Sequence, residues 1–577
     1  MKKDWRELIS QPEYDIEVKK DIFVTVRDGV RLAVNVYRPA AKGKFPALFA
    51  MGGYGKELQE ELIPPQPLLK SAVWDGNIEA GDTSVIVPRG YVHVIGDARG
   101  TGNSEGEYPG MWSQQEGRDG ADIVEWIARQ PWCDGNVGMI GYSYYGGMQL
   151  KVAIQQPPHL KAIFVSHMAA DFYRDVYQGG VLGLFLYGLW DGRHGTSGMA
   201  VKNAVSQMMK TLPKAEFERR RKELLSNPDI KYYPNLYHLL NYPYKNPAFF
   251  DMLMNPFDGP FWQDRSIYPF YDKIKVPTFV VGKHANAPGF WEVYNGINTI
   301  KKLLVKPTGP EERPWREDIE LMLRWHDHWL KGNDTGIMEE PPIKLYVPGA
   351  NQWRYEKVWP LPGIDWTRCY LRRWEGLSFA PELYQPEPDC FLQQPLHLST
   401  KRDSVKYISP VLCADLELIG PAAFNLYASI DQDDANWIAK LYDVLPTGKE
   451  MGIARGWLKA SHRALDRARS KPYKPFHPHT SAEPVKPGEI NEYAIDLGNI
   501  VHVLKAGHRL KLEIESLESP RDPEIQIHYH PHLNSSRTTL HKIYRNREHQ
   551  SHLVLPIRAG KDAVMEIMSD ENFQGGV

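Results

Sequence analysis

"GMIGYSYYGGMQL", residues 138–150, decides how the chain is read. A short apolar run, Val137 to Ile140, meets Gly-Tyr-Ser-Tyr-Tyr-Gly and then the helix-like Met-Gln-Leu-Lys-Val-Ala-Ile. A serine held between glycines, where a strand hands over to a helix, is forced into a strained conformation with its side chain exposed. Glycine is required at the shoulders because a Cβ there would strike the neighbouring strand and helix. The helix N-terminus behind the serine supplies free N–H groups and positive potential, both suited to a developing oxyanion. The usual spacing is Gly-x-Ser-x-Gly, whereas here the second glycine stands one place later, at Gly146. Ser143 is therefore a candidate nucleophile, and the competing reading is a glycine-rich turn with an incidental serine.

The flanking sequence favours a sheet around that turn. Residues 21–38, "DIFVTVRDGVRLAVNVYR", alternate apolar and polar on both sides of Asp28-Gly29, the pattern of a β-hairpin. "PALFAM", "YVHVIGD", "NVGMIG", "LKAIFVS" and "VPTFVVG" are short apolar runs of the buried-strand type. "GADIVEWIARQP" has helical spacing and stops at Pro131, and residues 144–156 form the next helix. Strands alternating with helices argue for a parallel sheet covered on both faces. Between about 170 and 265 the strand signal fades into helical, Met- and aromatic-rich sequence such as "MAVKNAVSQMMKTL" and "AEFERRRKELL", which reads as a cap whose aromatic content suggests a bulky, partly apolar small molecule. After about 360, short β-rich runs separated by Pro/Gly turns give the pattern of a sandwich or jelly roll. The expected organisation is an α/β domain over 1–168 and 268–360, a helical cap over 169–267 and a β-sandwich over 361–577.

Composition bounds the function. At 577 residues more than one core is needed. Lys and Arg number 69 against 71 Asp and Glu, and no basic block suggests nucleic acid. The start, Met1-Lys-Lys-Asp-Trp-Arg-Glu, lacks the apolar core of a secretory leader, and the 11-residue apolar stretch at 180–190 is too short to span a membrane. Four isolated cysteines without CxxC pairing point to free thiols, and a cytoplasmic location is expected. A small-molecule substrate is expected as partner, with no nucleic acid, membrane, cofactor or metal; a homo-oligomer is left open.

Several stretches together are similar to one family. They are "VTVRDGVRLAVNVYRP", "GDARGTGNSEGEY", "DIVEWIARQPWCDGNVGMIGYSYYGGMQ", "PPHLKAIF", "WHDHWLKGNDTGI", "EPPIKLYVPGANQWR", "DDANWIAKLYDVLPTG" and "AGHRLKLEIES". In these the chain resembles the cocaine-esterase-like hydrolases, relatives of the X-prolyl dipeptidyl aminopeptidases, α-amino-acid ester hydrolases and glutaryl acylases. The resemblance implies an α/β-hydrolase fold with an inserted helical cap and a C-terminal all-β jelly-roll domain. It also implies that Ser143 is the nucleophile. Tyr54, in "GGYGK", would offer its hydroxyl to the oxyanion hole together with the backbone N–H of Tyr144.

The same comparison exposes a departure. The family sets its acid in a Gly-Gly-Trp-x-Asp segment after the strand that here reads "VPTFVVG"; this chain continues "KHAN", with Asn286 at the acid's place. The family's histidine lies in Gly-Pro-Trp-x-His after the next strand, where "KLLVKPTGP" puts Pro310. A histidine that takes the serine's proton is worth several orders of magnitude in rate. His284 is the first replacement, since it follows a strand's carboxyl end, where such sites are built; Asn286 would orient its ring. His167, in "FVSHMAADF", is a second, with Asp171 as an acid nearby. His326, beside His328 in "RWHDHWLKG", is a third, and resembles the family's structural histidine. For each, the alternative is a hydrogen-bonded core or pocket histidine.

Two other groupings carry less. His528, His530 and His532 alternate in "EIQIHYHPHLN", but Pro531 interrupts the strand and no acid or thiol accompanies them. "DARG" at 97–100 reads as an Asp97–Arg99 pair holding a loop. Three functions follow from these residues: a Ser143-dependent hydrolase of an ester or amide, a triad-altered enzyme using the oxyanion hole for non-hydrolytic chemistry, and a non-catalytic scaffold. Retention of Ser143, Tyr54 and the glycine turn disfavours the last.

Overall fold

The computed structural model describes residues 4–59, 79–166, 168–184, 201–283, 285, 287–307, 315–384, 387–519 and 532–560. The N-terminal hairpin forms as its alternation predicts. β1 (Ile16–Thr25) pairs antiparallel with β2 (Arg31–Pro39), and Gly29 takes φ +86° in the turn. The apolar runs become β3 (Phe45–Gly52), β4 (Val92–Asp97), β5 (Cys133–Tyr142) and β6 (Leu160–Ser166). A short hairpin, β7 (Tyr177–Gln178) and β8 (Val181–Leu182), follows, and then β9 (Thr278–Lys283), β10 (Lys301–Lys306), β11 (Ile343–Val347) and β12 (Gln352–Glu356).

Ten of these strands make one sheet in the order β1-β2-β4-β3-β5-β6-β9-β10-β11-β12. The stretch from β4 to β11 is parallel throughout, and the two ends are closed by antiparallel pairs. Strands buried on both faces need no polar alternation, so β3 and β4 read as continuous apolar runs. This is an α/β-hydrolase core.

Two helices pack beside the centre. α1 (Gln114–Ala128) starts earlier than its apolar periodicity suggests, because Ser113 and Glu116 form a reciprocal capping box. α2 (Tyr144–Ile154) leaves β5 through Ser143 and is buried along its whole length. Beneath the sheet, α3 (Trp315–Lys331) presents Met322, Leu323, Trp325 and His326, all fully buried.

Between β8 and β9 the described chain is helical, as expected for a cap, with one correction. Among the described residues of "MAVKNAVSQMMKTL", only Gln207–Thr211 coils. The N–H groups of Lys202 and Asn203 instead donate to the Gly100 carbonyl at 3.0 and 3.2 Å, and Tyr108 N–H donates to the Asn203 carbonyl at 2.8 Å. Pairing with the 100–108 loop consumes the backbone groups a helix would need. "AEFERRRKELL" does coil, within Lys214–Ser226.

From Asp365 to Ala559 the described residues are β-rich, with eleven strands whose pairings are antiparallel except one. Phe424, Leu426, Trp437, Leu441, Leu512 and Leu555 centre its separate core. The two units are fastened together. Ile419, Val501 and Val503 of the β-unit bury into the hydrolase core with Val347, Trp359 and Leu361. Arg174 donates to the His477 carbonyl at 2.7 Å, and Ser536 holds Asp229 of the cap through its N–H at 2.7 Å and hydroxyl at 2.8 Å. Among the described residues no helix is long and apolar enough to cross a membrane.

Candidate active site

β5 ends at Tyr142 and α2 begins at Tyr144, so Ser143 alone makes the turn, at φ +56° and ψ −113°. A β-carbon at a positive φ is strained, and such strain persists only where the surroundings impose it. Here they do. Ser143 N–H donates to the Ser166 carbonyl at the end of β6, 3.0 Å away, and Tyr142 N–H donates to the Glu79 carbonyl at 3.0 Å. The two shoulder glycines are sterically required. A Cβ on Gly141 (φ +152°) would come within 2.4 Å of the Tyr145 Cβ, and one on Gly146 within 2.3 Å of the Ser166 carbonyl oxygen. The late glycine thus answers the close approach of β6 to the first turn of α2. Ser143 is half-buried and its hydroxyl makes no capping bond to α2.

Tyr54 follows β3 in the "GGYGK" turn and lies against the residue after Ser143. Its ring meets the Tyr144 ring edge-on, with centroids 5.5 Å apart and planes at 75°. The turn is fixed from behind. Asp97, at the end of β4, accepts from Lys56 N–H at 2.8 Å and Asn103 N–H at 2.9 Å. The buried Lys56 ammonium reaches Asp21 at 2.8 Å and Asp97 at 3.7 Å. The expected Asp97–Arg99 pair does not form. Arg99 turns to Asp119 and Asp28, because Asp97 already serves backbone donors on the other side of the loop.

Tyr144 is clamped at three points that sequence reasoning missed. Its phenol donates to Glu116 and lies 3.2 Å from the Tyr108 hydroxyl, while the Trp112 indole N–H donates to its carbonyl at 3.0 Å. The Ser-x-x-Glu pattern at 113–116 signals the helix start, but nothing local shows that Glu116 also reaches Tyr144. Burial pushes the Glu116 carboxyl up to about 7 despite its hydrogen bonds to Tyr144 and Ser113. Burial likewise pushes the Lys151 ammonium of α2 down to about 7; its Nζ donates to the Asp264 and Ser266 carbonyls at 2.7 and 2.8 Å.

The raised Glu116 value has a stability consequence. A carboxyl protonated more easily when folded stabilises fully below its ordinary 4.5, and that contribution is lost as the pH rises through 7. Glu116→Gln keeps a residue suited to the capping box and removes the titration. Relative to the unsubstituted protein, the variant is expected to gain roughly 3 kcal/mol between pH 4.5 and 8. Denaturant midpoints at the two pH values measure this, and a difference independent of pH would refute it.

The remaining sequence candidates separate by place. Asp171 is buried, caps the helix Phe172–Val176 by accepting from Arg174 N–H at 3.3 Å, and is ion-paired with the Arg174 guanidinium. Arg174 itself rests over Phe476 and 3.7 Å from Asp258. His326 lies under the sheet, its Nδ1 donating to the Met322 carbonyl at 3.0 Å and its ring against Gly138; burial lowers it to about 4. His167, His284, Asn286 and Pro310 fall outside the described residues, as do His528 and His530. By chain position, Ser143 follows β5, His167 follows β6, and His284 and Asn286 follow β9, three adjacent parallel strands. His532 Nδ1 lies within hydrogen-bond reach of the Glu518 carboxylate, at 2.7 Å. Among the described residues no group of three or more His, Cys, Asp or Glu side chains is placed to hold a metal, and the four cysteines are free thiols.

Residues 28–309 match the model of X-Pro dipeptidyl-peptidase (S15 family), and residues 335–554 match that of the X-Pro dipeptidyl-peptidase C-terminal non-catalytic domain. Among curated proteins, the chain is 27% identical to a cocaine esterase of Rhodococcus sp. (strain MB1 Bresler), over 94% of this chain and 98% of that one. It is 23% identical to a putative Xaa-Pro dipeptidyl-peptidase of Bacillus anthracis, over 87% and 84%. The fold matches a crystal structure of a CocE/NonD family hydrolase from Staphylococcus aureus with a TM-score of 0.74 at 23% identity, covering 94% of this chain and 93% of that one.

Proposed function

Because the chain belongs to the X-Pro dipeptidyl-peptidase family of α/β-hydrolases, we propose that it cleaves an ester or amide of a bulky small molecule through an acyl-enzyme on Ser143. The observation that carries this reading is the strained turn at Ser143, φ +56°, held by Ser166 and two sterically required glycines. A scaffold has no use for such a turn, since the strain costs stability and serves only to present the hydroxyl.

In the proposed reaction the Ser143 Oγ attacks the substrate carbonyl carbon and its proton passes to the base, for which His284 is the first candidate and Asn286 its orienting partner. The carbonyl oxygen, now negative, accepts from the Tyr54 hydroxyl and the Tyr144 N–H. Collapse expels the alcohol or amine, which takes up the proton, and water then releases the acid by the same route. Asn286 as partner would orient an imidazole without stabilising its cation, which favours esters, with their better leaving groups, over amides. Similarity to a protein named as an esterase over nearly the whole chain supports the same preference.

The test is turnover of p-nitrophenyl butyrate against Gly-Pro p-nitroanilide, with Ser143→Ala as control. Ester cleavage that depends on Ser143 and exceeds anilide cleavage is expected. Anilide cleavage alone would reverse the substrate class, and no Ser143-dependent cleavage of either would favour non-hydrolytic use of the oxyanion hole.

A further inference from the structure

Both donors assigned to the oxyanion belong to one aromatic assembly. Tyr144 supplies the backbone N–H, and its ring is the surface against which Tyr54 packs edge-on at 5.5 Å. That ring is fully buried, and its position is set at its far end by the hydroxyl, which donates to Glu116. Glu116 is itself held: fully buried, its second oxygen accepts from the Ser113 N–H at 2.9 Å and lies 3.2 Å from the Ser113 hydroxyl. We propose that Glu116 is a positioning residue for the oxyanion hole, acting through the Tyr144 phenol to set both the Tyr144 N–H and the Tyr54 ring. This rests on the reading of Ser143 as the nucleophile.

The chemistry explains why a carboxylate stands there. A helix cap alone needs one acceptor for Ser113, and glutamine serves as well as glutamate. Above its titration near pH 7, the ionised carboxylate's other oxygen gives Tyr144 a charge-assisted bond with a fixed direction, which an amide cannot offer while its single oxygen faces Ser113. The charges around it are otherwise satisfied. Asp119 is engaged by Arg99 at 2.7 Å, Arg265 donates to the Pro109 and Phe261 carbonyls at 2.7 and 3.0 Å, and Lys151 is bound to two carbonyls. Glu116 is therefore aimed at Tyr144 by its own position on α1 and, among the described residues, is drawn away by no ion-paired cation.

The experiment compares Glu116→Gln, Tyr144→Phe, the double variant and Ser113→Ala in steady-state hydrolysis of p-nitrophenyl butyrate, with melting temperatures alongside. Fluorophosphonate labelling of the unsubstituted protein at Ser143 comes first. Glu116→Gln and Tyr144→Phe are each expected to lower kcat about tenfold with KM within about twofold, since a sub-ångström shift of the donors acts on the transition state. The double variant should be no worse than either single one, because both remove the same contact. Ser113→Ala, which keeps the Ser113 N–H bond to Glu116 and removes only the cap hydroxyl, should lower the melting temperature and lower kcat less than either single variant. If Glu116→Gln and Tyr144→Phe melt lower but keep the original kcat, Glu116 is only a helix cap and the proposal is overturned. A rise in KM at constant kcat overturns it equally. Should Glu116→Gln fail to fold, Tyr144→Phe decides by the same criteria. Absence of labelling at Ser143 would instead remove the nucleophile reading, and this proposal with it.

Discussion

Ser143→Ala is expected to abolish ester turnover, by at least ~10³-fold, while the protein folds normally. The size of the effect follows from the proposed role, in which every chemical step passes through the Oγ. The hydroxyl makes no capping bond to α2, and the turn is held by the Ser143 N–H and by glycines on either side. Removing one oxygen should therefore change stability by less than about 1 kcal/mol. Activity assays and thermal melts on the same preparation separate the two quantities. Turnover that survives in Ser143→Ala would mean that the strained turn serves another reaction.

Gly146→Ala should have a large structural effect on the site. The new Cβ would sit 2.3 Å from the Ser166 carbonyl oxygen, a backbone atom that already accepts the Ser143 N–H. Neither partner can move without pulling β6 from β5 or tilting α2, so a loss of more than about 3 kcal/mol is expected, with poor soluble yield. Gly259→Ala is the matched control. Gly259 has φ 177°, an extended backbone, and a Cβ there would meet nothing within 4 Å. It should cost no more than about 1 kcal/mol, chiefly through its place at a helix N-cap. Equal melting temperatures for the two variants would show that the elbow is not sterically locked.

The parts of this architecture visible in the sequence are those set by local rules. Asp28-Gly29 announces its hairpin because a tight turn needs that chemistry, and the strand cores announce themselves because both faces are covered. Ser143 is legible for the same reason, a turn whose glycines lie within three residues of it. What stayed hidden depends on partners far along the chain. Arg99 chooses Asp119 and Asp28 over the adjacent Asp97, because Asp97 is taken by the backbone of Lys56 and Asn103. Residues 201–206 look helical by composition, yet the 100–108 loop captures their backbone. Glu116 reads as a capping residue, while its second oxygen holds Tyr144, 28 positions on. His326 passes in sequence as a third base, and only the packing against Gly138 under the sheet shows a core histidine. β5, β6 and β9 are neighbours in the strand order, so their carboxyl ends lie side by side although far apart in sequence.

The most direct test of an activated nucleophile is mass mapping of the protein after treatment with a fluorophosphonate at neutral pH. A single adduct on the peptide carrying Gly141-Tyr142-Ser143-Tyr144, absent from Ser143→Ala and formed faster than on free serine, is the predicted result. No adduct, or one confined to another serine, would contradict the assignment.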